Sequence, residues 1–177
     1  MLTRLVEDLQ TLALADAGEI KLIMTDTDLE ELVRRVVERF QPQAISRQVS
    51  LNINHTKPCP PLSVDPGRIE QILGNLLSNA LRYTPIDGRI VLTLDCQPHQ
   101  TYLHVHDSGP GIPPDAMTHV FERFYRADKS RSRLEGGTGL GLVIARKLAE
   151  VHGGNLNAAN HPVGGAVFTL ILPNRIQ

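Results

Sequence analysis

The sequence predicts an α/β chain in two layers, a sheet carrying helices. Three observations lead there. The run from Ile69 to Tyr83 places Ile69, Ile72, Leu73, Leu76, Leu77 and Ala80 three or four apart, which gives a helix one apolar side. Arg89–Cys96 and Thr101–His106 alternate apolar and polar residues across a short 97–100 break, as a half-buried hairpin does. A second helical run, residues 142–151, leads into two more strand-like runs, Asn155–Asn160 and Ala166–Leu172, joined by a Pro162–Gly165 turn. Helices interleaved with an antiparallel-looking sheet are most simply arranged as two layers.

In chain order, residues 1–17 carry Leu2, Leu5, Val6, Leu9 and Leu12 at nearly heptad spacing, with Gly18 as C-cap. Such a helix either pairs in a bundle or packs back on the domain; its periodicity fits both. Lys21–Thr25 reads as a short strand. Asp26 or Asp28 caps the next helix, which runs from Leu29 to Ala44, or stops near Phe40 because Pro42 lies inside the span. Val49, Leu51 and Ile53 alternate as a strand, and residues 55–61 form a turn-rich loop. After a short extended piece at Leu62–Val64, Asp65-Pro66 supplies an N-cap and a proline at the first helical position.

Composition narrows the function. The chain has 177 residues, 41% of them hydrophobic, which suits one domain with a real core and a short appendage. A net charge of −1 argues against a general nucleic-acid surface. No apolar run reaches the length of a membrane span, so no membrane contact by this chain is expected. The 2 cysteines, Cys59 and Cys96, lie far apart with no CxxC or Cys/His cluster, so neither a structural zinc site nor a disulfide scaffold is suggested, and a reducing compartment is the default.

Several stretches carry candidate chemistry. Asn75, Asn79 and Arg82 form a polar stripe beside the apolar side of their helix. Amide oxygens suit magnesium and a guanidinium suits phosphate; the same stripe could also simply face water. Asp107 ends a strand where Gly109 and Gly111 begin. That arrangement either accepts a hydrogen bond from an exocyclic amine beside a flat ring or is an ordinary Asp-Ser-Gly turn. Gly136-Gly-Thr-Gly-Leu-Gly141 opens a helix without the Lys-Ser/Thr of a P-loop. It reads as an anion cradle or as a hinge capped by Thr138. Upstream, Arg126, Lys129, Arg131 and Arg133 sit in an almost non-apolar segment that reads as a mobile loop. Phe121, Phe124 and Tyr125 read as a packed aromatic group at one end of it.

Glu70–Tyr83, Asp107–Ile112, Phe121–Arg126 and Gly137–Gly141 together, in order and spacing, resemble the four nucleotide-binding boxes of bacterial sensor histidine kinases. The resemblance covers about residues 28–172 and extends weakly to 1–17. It implies the Bergerat-type α/β sandwich shared with gyrase B, Hsp90 and MutL, a mixed sheet with helices on one face. It divides the chain into residues 1–20, the end of a dimerisation and phosphoacceptor helix with its linker, and residues 21–177, a catalytic ATP-binding domain.

The same resemblance implies ATP and Mg²⁺ as ligands. Asn79 would hold the metal with Asn75 one turn earlier, Arg82 would meet phosphate, and Tyr83 would lie near the adenine. Asp107 would accept from the adenine amine with help from Thr169. Gly109, Gly111 and Ile112 would line the base. Residues from about Pro113 to Thr138 would form a lid, bringing Phe124, Arg126, Lys129 and Arg131 toward the ligand. Gly137, Thr138, Gly139, Leu140, Gly141 and Leu142 would border the phosphates. The ATPase relatives carry a glutamate where Asn75 stands, and an amide cannot act as that base. This favours phosphoryl transfer to a histidine over hydrolysis.

No acceptor motif surrounds His55, His99, His104, His106, His119, His152 or His161. The resemblance therefore implies an acceptor elsewhere in a homodimeric parent, an inner-membrane sensor with this domain in the cytoplasm, and a response regulator as the downstream partner. A non-catalytic nucleotide-sensing module is the alternative reading.

Overall fold

The structure, a computed structural model, describes residues 2–55, 57–125 and 138–174. Helix α1 spans Leu2–Asp16, β1 Thr25–Thr27, α2 Leu29–Ser46, β2 Ser50–His55, β3 Leu62–Val64 and α3 Pro66–Tyr83. Then follow β4 at Arg89–Cys96, β5 at Gln100–Asp107, the single turn α4 at Pro114–Met117, α5 at Gly141–Val151, β6 at Asn155–Asn160 and β7 at Ala166–Pro173. Five strands form one sheet in the order β2-β4-β5-β7-β6. All neighbours are antiparallel except β2 and β4, which run parallel. The sheet is therefore mixed, because α3 returns the chain from β2 to β4 as a crossover.

Alternation sets the layers. On β4, β5 and β7 the inward residues Ile90, Leu92, Leu94, Leu103, Val105, Phe168, Leu170 and Leu172 are buried. They meet α3 through Ile69, Ile72, Leu73, Leu76 and Leu77, and α5 through Ile144, Ala145 and Leu148. The other sheet face carries Tyr102, His104, His106 and Thr169, all half-buried.

Helix starts follow capping chemistry. The Asp28 carboxylate accepts from Glu31 N at 3.0 Å and that of Asp65 from Arg68 N at 3.1 Å. Asp65 also accepts from Ile23 N at 2.9 Å, fastening the segment after α1 to the start of α3.

Two sequence expectations are corrected and two open alternatives are decided. The first strand lies at 25–27, where it pairs with β3, rather than at 21–25. Helix α2 continues through Pro42 to Ser46, because burial of Ala44 and the bond from Gln41 Nε2 to Leu51 O hold its last turn against the sheet. The sheet is mixed, as the family resemblance implies, where the alternation alone suggests an antiparallel one. Finally, Cys59 and Cys96 form a disulfide with a Cα–Cα separation of 5.5 Å. Parallel pairing sets His55 opposite Leu94, so the loop leaving β2 arrives beside the end of β4, a proximity hidden by 37 residues of sequence.

Helix α1 packs against α5 through buried Leu12, while Val6 and Leu9 stay exposed. Asp16 pairs with Arg123, and Thr138 Oγ1 reaches Asp8 Oδ2 at 3.5 Å. No helix among the described residues is long and apolar enough to cross a membrane.

Candidate nucleotide-binding site

The polar edge of α3 runs between two glycine turns. At one end, a Cβ on Gly141 would lie 3.3 Å from Asn75 Oδ1, so the Asn75 amide abuts the first residue of α5. At the other, a Cβ on Gly109 would lie 2.8 Å from the Tyr83 carbonyl and 2.7 Å from Asp107 Oδ1. Between Asn75 and Tyr83 the helix climbs about 12 Å at 1.5 Å per residue, a length that suits a nucleotide triphosphate laid along it.

Asn75 Nδ2 is buried with no hydrogen-bond partner among the described residues. A buried amide donor left unpaired is costly, and a ligand oxygen would relieve that cost. Asn79 and Arg82 are half-buried and form no side-chain hydrogen bond or ion pair among the described residues. No group of three or more His, Cys, Asp or Glu side chains among them could hold a metal. Magnesium does not need such a cage. It keeps waters and takes one or two protein ligands together with substrate phosphates, a requirement that an amide oxygen at Asn79 fits.

Asp107 stands at the inner end of β5, 2% exposed. Its Oδ1 accepts from Gly109 N at 2.8 Å and from Ala166 N at 3.4 Å. Burial pushes its carboxyl above the ordinary carboxylate range, and those two N–H groups and nearby His106 offset the push only in part. A buried, fixed acceptor with charge to spare is suited to binding a donor.

Gly111 has φ +79°, and a Cβ there would sit 2.7 Å from Asn160 Oδ1. Asn160 holds this turn at both faces of one residue: Ile112 N donates to its Oδ1 at 2.7 Å, and its Nδ2 donates to Ile112 O at 2.9 Å. Sequence reasoning missed Asn160, since an Asn at a strand end reads as a turn former.

Other predicted site residues divide. Thr138 Oγ1 accepts from Leu140 N at 3.3 Å, Gly139 adopts φ +71°, and its carbonyl accepts from Phe124 N at 3.1 Å. Leu140 is fully buried in the core and Leu142 packs partly on it, so their side chains serve packing while their backbone borders the glycine turn. Arg126, Lys129, Arg131 and Gly137, and with them residues 126–137 of the expected lid, lie outside the described residues.

Two expectations are overturned. Thr169 lies on the opposite sheet face from Asp107 and hydrogen-bonds His104 Nδ1 at 2.9 Å; inward Phe168 and Leu170 force it outward. The aromatic residues do not form one packed group. Phe121 packs edge-on against Phe168 with Arg146 over its ring, Tyr125 leans on His119, and Phe124 is 61% exposed at φ +61°.

Comparison with known proteins gives the family and the fold. The sequence profile of the histidine kinase-, DNA gyrase B- and HSP90-like ATPases matches residues 64–176. The chain belongs to that family. It is 40% identical over 174 residues to the signal transduction histidine-protein kinase AfsQ2 of Streptomyces coelicolor, and 36% identical over 176 residues to BaeS of Escherichia coli. Each match covers 97% of this chain but only 30% and 37% of the relative, so the chain spans about a third of those kinases.

Among solved structures, full-length ShkA in complex with AMPPNP superposes with TM-score 0.87 at 32% identity, covering 97% of this chain and 35% of ShkA. The catalytic domain of histidine kinase ThkA gives 0.77 at 29% identity, covering 86% of this chain and 97% of that domain. The α/β sandwich of this family member is thus that of histidine kinase catalytic domains.

Proposed function

We propose that this chain is the ATP-binding catalytic domain of a sensor histidine kinase and positions the γ-phosphate of ATP for attack by a histidine carried elsewhere in the parent. The observation that carries the reading is the unpaired, buried Asn75 amide beside the N-terminus of α5, at one end of a polar edge that finishes at Asp107. The ShkA complex with AMPPNP and the ThkA complex with response regulator TrrA support it by likeness.

In this reading Asp107 accepts from the adenine amine, and Gly109 and Gly111 leave room for the ring. Asn160 keeps the Gly111–Ile112 turn in register. Asn75 donates to a phosphate oxygen, Arg82 offsets phosphate charge, and the first N–H groups of α5 face the same anion. Asn79 would hold Mg²⁺, which when bound screens the phosphates and supplies Lewis acidity. An Asn at 75 cannot take a proton from water as a carboxylate can, so the pocket aligns and stabilises rather than hydrolyses. The phosphoryl group then passes to an aspartate of a response regulator.

The test is transfer of γ-label from ATP to the histidine-bearing dimerisation segment of the parent kinase when mixed with this chain and Mg²⁺. Acid-labile label on that segment is expected. No label despite tight nucleotide binding would leave a nucleotide-sensing module instead.

A further inference from the structure

We propose that Cys59 and Cys96 form a reversible thiol–disulfide site, opened by a thiol reductant, whose state sets the affinity of the nucleotide pocket. The coupling to affinity rests on the nucleotide-binding reading above.

The bridge joins the loop before β3 to the last residue of β4, and both cysteines are half-buried at the margin of the core rather than enclosed in it. A purely structural brace is not needed here. Such bridges hold together small domains that lack a core, whereas this one has a continuous core drawn from α1, α2, α3, α5 and the five-stranded sheet. Accessible bridges are also the ones most open to exchange.

Its position gives it leverage. The covalent loop from Cys59 to Cys96 encloses β3, all of α3 and β4, and so contains Asn75, Asn79 and Arg82. Cys59 N donates to Glu30 Oε1 at 2.9 Å, tying the bridge to the first turn of α2. Cys96 pairs with Thr101, at the opposite end of β4 and β5 from the Ile90–Asp107 pair. Exchange chemistry therefore acts at a distance from the pocket, through the loop that carries α3. Opening the loop leaves α3 packed in the core but releases the covalent tie on its flanks, so more of those flanks must be fixed when nucleotide binds.

The chemistry balances with two equivalents of a thiol such as glutathione. A thiolate attacks one bridge sulfur, the S–S bond breaks, and the departing cysteine thiolate takes up a proton. A second thiolate attacks the resulting mixed disulfide, releasing the other cysteine and the oxidised reductant. The bridge gains two electrons and the two thiols lose them. Oxidised glutathione runs the steps in reverse.

The test equilibrates the full chain in graded mixtures of reduced and oxidised glutathione. Free thiols are counted by alkylation and mass spectrometry, and AMPPNP affinity with Mg²⁺ is measured at each ratio. Both thiols should appear together with the far-ultraviolet circular dichroism unchanged. AMPPNP affinity should fall by about fivefold or more, the low end of ordinary coupling between sites, and should return on reoxidation. A Cys59→Ser/Cys96→Ser variant should show the reduced affinity at every ratio. A bridge that survives excess reduced glutathione, or opens only as the chain unfolds, overturns the proposal. So does an affinity that is present and equal in both states. Absence of AMPPNP binding in either state overturns the nucleotide reading and the coupling with it.

Discussion

Replacing Asp107 by Asn separates recognition from stability. The carboxylate is 2% exposed and its pKa is raised because burial disfavours the charge. The substitution keeps the shape and one oxygen, which can still accept from Gly109 N, now 2.8 Å from Asp107 Oδ1. It removes the charge and turns the other terminal atom into a donor. An adenine amine is also a donor, so that contact is lost. A hydrogen bond to a charged acceptor contributes about 1.5–3 kcal/mol. At about 1.4 kcal/mol per tenfold, AMPPNP should bind about 10- to 150-fold more weakly.

Stability should move the other way. With no buried charge to desolvate, the melting temperature should hold or rise. Guanine offers an acceptor where adenine offers a donor, so the ratio of adenine to guanine nucleotide affinity should shrink. Calorimetry with both nucleotides and a thermal melt read all three quantities. Unchanged adenine affinity in a folded variant would refute the role of Asp107, and a large loss of stability would refute the account of its burial.

Further outcomes follow from the same pocket. Asn79→Ala should abolish the Mg²⁺-dependent part of nucleotide affinity and leave the Mg²⁺-free part nearly intact, as titrations with and without the metal would show. Asn160→Ala removes two bonds to Ile112, at 2.7 and 2.9 Å. At about 0.5–1.5 kcal/mol each, it should cost about 1–3 kcal/mol in urea unfolding and weaken AMPPNP binding by loosening the turn. Acid should weaken adenine binding as the pH falls through the raised pKa of Asp107, which lies above the ordinary 3.8, because the ionised form is the acceptor. Stability has the opposite sign there: the desolvation cost is fully present above the folded-state pKa and is relieved as pH falls through that value toward 3.8. Comparing wild type with Asp107→Asn across that window isolates both effects.

The elements that local chemistry determines were readable from sequence. Asp65-Pro66 and the spacing from Ile69 to Ala80 define α3 whatever surrounds it, and the alternation of β4 and β5 does the same for the hairpin. What depended on distant contacts was not readable. Pro42 leaves the end of α2 open between Phe40 and Ala44 in sequence, and the burial of Ala44 against the core decides for the longer helix. The parallel β2–β4 pairing, and with it the Cys59–Cys96 bridge, depends on a crossover that no local signal states.

Thr169 is different, because its alternation with inward Phe168 and Leu170 itself requires it to face outward, away from the role that the family resemblance implies. In the candidate site, the stripe of Asn75, Asn79 and Arg82 stands out in sequence because the apolar side of α3 does not need it, while Asp107 also fixes its own turn by accepting from Gly109 N and Ala166 N. Asn160 was not, since its partner Ile112 lies 48 residues away.

The most direct test of the account follows the side-chain amide of Asn75 by nuclear magnetic resonance while AMPPNP and Mg²⁺ are added to the folded chain. A saturable shift of that amide, accompanied by the backbone amides of Gly109 and Gly141, is the predicted result. No saturable shift on folded protein, or shifts confined to His104 and Thr169 on the far sheet face, would contradict it.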